Sequence, residues 1–204
     1  MINQAIFNRT PLAPNAFAPL PVGAVKPRGY LLNVERMMAS AITGNLPRVW
    51  DSMKDNAWMG GKGESWERGP YYLDGLLPLA WQLGDEELKN TAMKFVEWTL
   101  SSQREDGFFG PADQEDWWPR MVMLKCLQQY FTATGDKRVL SFMNRYFAYM
   151  YRNLDEKPLG LWAIARAGDN IQIVQWLYNI TGQKALLKLC DKLLEQSIDW
   201  TGYF

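Results

Sequence analysis

The chain has 204 residues, room for one domain with a sizeable core, and its 22 basic and 22 acidic side chains leave no excess charge to favour nucleic acid. Histidine is absent. This removes the commonest zinc ligand, the commonest general base and every Ser–His triad, so chemistry within the chain falls to carboxylates, Arg, Lys, Tyr or Cys. No stretch approaches the roughly 18 consecutive apolar residues of a membrane span. Residues 1–10 lack the basic region and apolar run of a signal peptide, so no membrane partner and a cytoplasmic location are expected.

Residues 1–28 read as an extended N-terminal arm, and the rest as one domain of helical hairpins over about 29–56, 68–103, 118–153 and 169–200. One punctuation mark recurs: Thr43-Gly44-Asn45, Leu83-Gly84-Asp85, Thr134-Gly135-Asp136 and Thr181-Gly182-Gln183, with glycines spaced by 40, 51 and 47 residues. Each mark predicts a left-handed glycine ending one helix and a polar residue opening the next. After the marks the helices are amphipathic. Leu88, Ala92, Phe95, Val96, Thr99 and Leu100 form one stripe, and Leu186, Leu187, Cys190, Leu193, Leu194 and Ile198 another. Before the marks the segments are apolar nearly all round, as in Met121 to Phe131 and Ile171 to Ile180, so they are expected to be buried on every side. Pro78 predicts a kink in the second such segment. The fold class is therefore all-α: an α/α-hairpin toroid with an inner ring of buried helices and an outer ring with one wet face. Cys126 and Cys190 fall in apolar helical stretches and are expected to be buried free thiols.

The turns at the glycine marks lie on one face of such a ring. The longer loops, 19–28, 54–66, 103–118 and 155–168, lie on the other and concentrate Gly, charge and tryptophan, including Trp58, Trp66, Trp117, Trp118 and Trp162. Inner helices begin at that face with Glu67-Arg68, Arg120 and Asp169-Asn170. Asp74 points into the ring if Tyr71 and Pro78 mark the inward stripe. Helix capping and ion pairing explain any one of these residues, and core packing explains the tryptophans. The set is more informative. Aromatic plates beside carboxylates and guanidinium groups suit a carbohydrate, whose C–H face packs on indole while its hydroxyls need donors and acceptors. The candidate substrate-binding residues are Trp66, Glu67, Arg68, Asp74, Asp106, Trp117, Trp118, Arg120, Asp169 and Asn170.

Five runs, 21–30, 63–76, 106–111, 117–125 and 166–170, carry a resemblance that covers almost the whole chain. Trp66-Glu67-Arg68-Gly69-Pro70 and Trp117-Trp118-Pro119 are its most specific blocks. The sequence resembles the N-terminal part of bacterial β-L-arabinofuranosidase-like proteins of the glycoside hydrolase family 127 group. That resemblance implies an (α/α)6 toroid followed by β-sandwich domains, and release of a terminal β-L-arabinofuranose. It also implies a retaining mechanism, with a cysteine nucleophile held near zinc by other cysteines and a glutamate. Those residues belong to a later part of the family's barrel, and Cys126 and Cys190 do not match them. No catalytic residue, metal ligand or cofactor is therefore assigned within this chain, and zinc is expected only in a complete member. The missing histidines depart from the family pattern, so the sugar is open. A non-catalytic carbohydrate-binding toroid is one alternative. An uronyl hydrolase or lyase, with Arg68 or Arg120 on a sugar carboxylate, is another. Six hairpins would need roughly 300 residues, so an incomplete ring of about four is expected, with apolar surface at its C-terminal edge available for self-association.

Overall fold

A computed structural model describes residues 5–203, and among them the regular structure is helical, without strands. In chain order the helices are α1 (Gly29–Ser40), α2 (Ile42–Val49), α3 (Asp51–Lys54), α4 (Arg68–Leu83), α5 (Glu86–Ser101), α6 (Trp117–Thr134), α7 (Arg138–Asn153), α8 (Trp162–Ala165), α9 (Ala167–Thr181), α10 (Ala185–Glu195) and α11 (Trp200–Tyr203). A short 3-10 turn spans Ala57–Met59. Helices α1, α4, α6 and α9 pack side by side as the inner layer, while α5, α7 and α10 pack behind them as the outer layer. This is the α/α-toroid arrangement.

The two layers follow from sequence pattern. In α6 every residue from Trp117 to Leu124 is buried, because neighbours enclose that helix on all sides. In α7 burial is confined to one stripe, Val139, Phe142, Met143, Tyr146, Phe147, Tyr149 and Met150, at helical spacing. The α10 stripe is Leu186, Leu189, Cys190 and Leu193, whereas Leu194, read from sequence as part of it, is 66% exposed. Helix α4 runs unbroken through Pro78, whose missing N–H leaves the Asp74 carbonyl without its usual helical donor.

Three of the four glycine marks end inner helices in the left-handed conformation. Gly84, Gly135 and Gly182 have φ of 69°, 78° and 71°, and their amides bond back to the Ala80, Phe131 and Tyr178 carbonyls. Asp85 then caps α5 by accepting from the Leu88 amide at 3.0 Å. The first mark is different. The chain turns at Ala41, and Gly44 lies inside α2. Gly44 serves close approach instead: a Cβ there would lie 1.7 Å from the Ala39 carbonyl oxygen. Asn45 completes the turn by donating to the Ser40 and Ala41 carbonyls, each at 2.8 Å.

The N-terminal arm runs under the C-terminal ends of the inner helices and forms a floor. Lys26 Nζ donates to the Trp81 and Gln82 carbonyls at the end of α4, at 2.8 and 2.7 Å. A cation there complements the negative helix terminus. The Val22 amide donates to Thr132 Oγ1 on α6, and Asn8, Arg9 and Thr10 engage Asn179 and Tyr178 on α9. The long loops leave from the opposite end. Exposed apolar side chains occur at both ends of the array, including Tyr30, Leu31 and Met37 on α1, and Leu194, Trp200 and Tyr203 beyond α9.

Candidate functional site

The N-terminal ends of α4, α6 and α9 meet opposite the floor. Glu67 immediately precedes α4, and its Oε2 accepts from Trp118 Nε1 at 2.7 Å, locking the first turn of α6 to the start of α4. Tyr71, one turn further along α4, tilts against the Trp118 ring at 5.9 Å between centroids. From α9's side the Arg166 guanidinium lies over the same indole, 5.7 Å from its centre. Trp118 is therefore covered, while Tyr71 remains 45% exposed.

The Tyr71 hydroxyl reports the charge gathered here. Burial and the Glu67 carboxylate raise its pKa, Arg166 opposes them, and Asp169 and Asp74 raise it further. The phenol thus remains a hydrogen-bond donor at neutral pH. Further along α4, Asp74 accepts from Lys125 Nζ at 2.9 Å and from Gln129 Nε2 at 2.8 Å, tying α4 to the neighbouring α6. Partial burial works against the Lys125 ammonium, but the hydrogen bond and charge of Asp74 prevail and raise its pKa.

Arg166 and Asp169 also line an open groove of about 930 Å³ between the start of α9 and the α10–α11 segment. Two half-exposed indoles, Trp162 and Trp200, stand in the same groove. A guanidinium and a carboxylate thus lie near both the Tyr71–Trp118 pair and two accessible aromatic plates.

Of the sequence-predicted residues, Glu67, Asp74, Trp118 and Asp169 are brought together at this mouth. Trp66 stands beside it as a brace. Its indole N–H donates to Asp116 Oδ2 at 2.9 Å, and its carbonyl accepts from Trp58 Nε1 at 2.8 Å. Arg68 turns away toward α3, donating to Ser52 Oγ at 2.7 Å with its guanidinium over Trp50. Asp106 closes its own loop by pairing with Arg104 at 2.9 Å and accepting from the Phe108 amide, which lowers its pKa.

Trp117, Arg120 and Asn170 lie in the interior and do not reach the mouth. Trp117 packs among Phe108, Tyr146 and Tyr149 and donates to the Lys157 carbonyl. Arg120 is fully buried and donates to the Phe109, Asp116 and Gln114 carbonyls, and burial pulls its pKa down to about 10. Asn170 is fully buried, and its Nδ2 contacts Met150 Sδ. The reason is helical phase. Successive residues point about 100° apart, so one member of Trp117–Trp118, and one of Asp169–Asn170, must face inward to the core.

Tyr71, Lys125 and Arg166 were not among the sequence candidates. For Tyr71 and Lys125 the signal was spacing: Glu67, Tyr71 and Asp74 recur at helical intervals from the start of α4, as do Trp118, Lys125 and Gln129 on α6, whereas Arg166 carried no such signal.

Neither cysteine suits a thiolate–metal centre. Cys126 is fully buried, donates toward the Pro70 carbonyl, and has its pKa pushed well up by burial. Burial likewise pushes the Cys190 thiol up to about 12, so neither is an activated thiolate. Among the described residues no three His, Cys, Asp or Glu side chains are grouped as a metal requires. The residues present therefore do not fit the zinc site that the family resemblance implies.

No curated protein matches the chain, and no solved structure does. A family model does match, that of the β-L-arabinofuranosidase, GH127 catalytic domain, over residues 31–201. With the helical-hairpin fold on which that match falls, the chain belongs to the GH127 β-L-arabinofuranosidase catalytic-domain family of glycoside hydrolases.

Proposed function

We propose that the mouth and its adjoining groove bind the terminal sugar of a glycoside, with an L-arabinofuranoside as the substrate class. The observation that carries this reading is the placement of Arg166 and Asp169. They act on Tyr71 above the Glu67–Trp118 pair and also line the groove containing Trp162 and Trp200. Carboxylate and guanidinium supply acceptors and donors for ring hydroxyls, and the indoles supply faces for C–H packing. Charge balance favours a neutral sugar over a uronate. Glu67, Asp74 and Asp169 outnumber Arg166 and Lys125, and Lys125 is already paired with Asp74. Arg68 and Arg120, the sequence candidates for a sugar carboxylate, are committed elsewhere.

The test is binding and hydrolysis of aryl L-arabinofuranosides and aryl glucuronides by the full chain and by Tyr71→Ala and Asp169→Ala variants. Arabinofuranoside binding should weaken by about tenfold or more in each variant. Unchanged binding in both, or preference for the uronide, would overturn the proposal. Binding without turnover would support the recognition role and favour the non-catalytic reading.

A further inference from the structure

A second cavity, of about 340 Å³, lies at the other end of the inner helices, between α6, α9 and the N-terminal arm. Its volume falls in the lower part of the range typical of small-molecule sites. One wall is the arm, including Asn8, Asn15 and the Pro19–Val22 stretch, and the other is the inward face of the two helices. The wall is built rather than incidental. Asn8 Oδ1 accepts from Asn179 Nδ2 at 2.9 Å, Asn179 Oδ1 accepts from the Arg9 amide at 2.9 Å, and Asn15 Oδ1 accepts from the Asn8 amide at 2.8 Å. These bonds hold the arm at a set distance from α9 and keep the space open.

The polar groups left over are of one kind. Gln128, Gln129, Gln172 and Gln175 all line the cavity. Gln129 spends its amide N–H on Asp74, and its Oε1 is buried with no partner among the described residues. A buried acceptor without a donor costs about 1–3 kcal/mol, so a ligand donor there would be favoured. No hydrogen bond among the described residues engages the side chains of Gln128, Gln172 or Gln175. The ionisable lining residue is Lys125, and Asp74 neutralises it at 2.9 Å. Trp176 and the arm's prolines add apolar faces.

We propose that this floor cavity is a second ligand site, joined to the mouth through the Asp74–Lys125–Gln129 contacts but sharing none of Glu67, Tyr71, Trp118, Arg166 or Asp169 in its lining, that takes a neutral polyhydroxylated molecule of monosaccharide size. A primary amide offers donors and an acceptor on one plane, which matches the paired donor and acceptor demand of vicinal hydroxyls. An anion or cation would enter without a free counter-charge and lose hydration unrepaid. The inference does not depend on the sugar proposed for the mouth.

The experiment follows the glutamine side-chain amide resonances of the full chain by NMR while L-arabinose, D-galactose and glucuronate are titrated separately. The Gln128, Gln172 and Gln175 signals are expected to shift with the neutral sugars and not with glucuronate. Gln175→Leu, a volume-conserving change at a half-buried lumen position, should weaken that response about tenfold. Tyr71→Ala should leave it unchanged. Glutamine signals that stay still under all three sugars, or a response that survives Gln175→Leu, would overturn the floor site and leave the mouth standing. Loss of arabinofuranoside binding at the mouth with an intact glutamine response would do the converse.

Discussion

Replacing Arg120 by methionine separates a structural role from a sugar-carboxylate role. The guanidinium is wholly buried, its Nε and Nη1 are each 2.7 Å from a carbonyl oxygen, its Nη2 reaches a third, and its carbon lies 3.9 Å from the centre of the Phe108 ring. The three carbonyls belong to Phe109, Gln114 and Asp116, so one side chain closes the loop between α5 and α6. Methionine retains most of the volume but no donor. Each buried carbonyl left unpaired costs about 1–3 kcal/mol, offset by relief of the guanidinium's desolvation, for a net loss of about 3–5 kcal/mol. Lysine should recover only part of this, because a single ammonium cannot reproduce a planar fork on three divergent acceptors. Urea unfolding followed by tryptophan fluorescence measures both variants. The loop also carries Asp116, which caps α6 and holds Trp66, so Arg120→Met should weaken glycoside binding along with stability. A variant within about 0.5 kcal/mol of the parent would refute this reasoning. If that variant also lost uronide binding alone, the guanidinium would be a ligand contact.

Gly44→Ala should lower the melting temperature more than Gly135→Ala, since the first drives a Cβ into the Ala39 carbonyl and the second adds about 1 kcal/mol of left-handed strain; thermal unfolding of both compares them. Glu67→Leu should destabilise by about 1–3 kcal/mol by stranding the covered Trp118 indole N–H, whereas Glu67→Gln keeps an acceptor and should cost less, by the same urea assay. Burial is the larger cause of the raised Tyr71 pKa and the Glu67 charge the second, so Glu67→Gln should lower that pKa without restoring it fully, read from the tyrosine ring carbons by NMR. Asp136 has a lowered pKa because Arg138 bonds to it. Its contribution to stability is therefore present above the unfolded value of about 3.9 and lost as pH falls through the lower folded value. Asp136→Asn should flatten the acid limb of a stability–pH profile below about pH 4 and leave its shape at neutral pH unchanged.

The hairpin array was legible because its signals are local. A glycine at a left-handed helix end and an all-round apolar segment each announce themselves within a few residues, as at Gly84, Gly135 and Gly182. Gly44 carried the same letters for another purpose, close approach to Ala39, which depends on where α1 ends and which no local pattern encodes. The site was legible only to the level of a face. Loop tryptophans and charged helix starts pointed to the end of the ring where Glu67, Tyr71, Trp118 and Arg166 meet, yet composition cannot say which member of an adjacent pair faces the lumen. Phase can. Counting in steps of three and four from Glu67 reaches Tyr71 and Asp74, and counting from Trp118 reaches Lys125 and Gln129, all of which the structure joins. The same counting places Trp117 and Arg120 off the lumen stripe of α6. Arg166 escapes even this, because it precedes α9 and reaches Trp118 only through the turn that α8 makes before it. The arm's role as a floor rests wholly on long-range bonds such as Lys26 to Trp81 and Asn8 to Asn179. Because the arm floors one end of the inner helices, the proposed sugar site requires a glycoside to approach from the loop side, and substitutions of Tyr71 and Asp169, rather than in the glycine turns, should change binding without changing the fold.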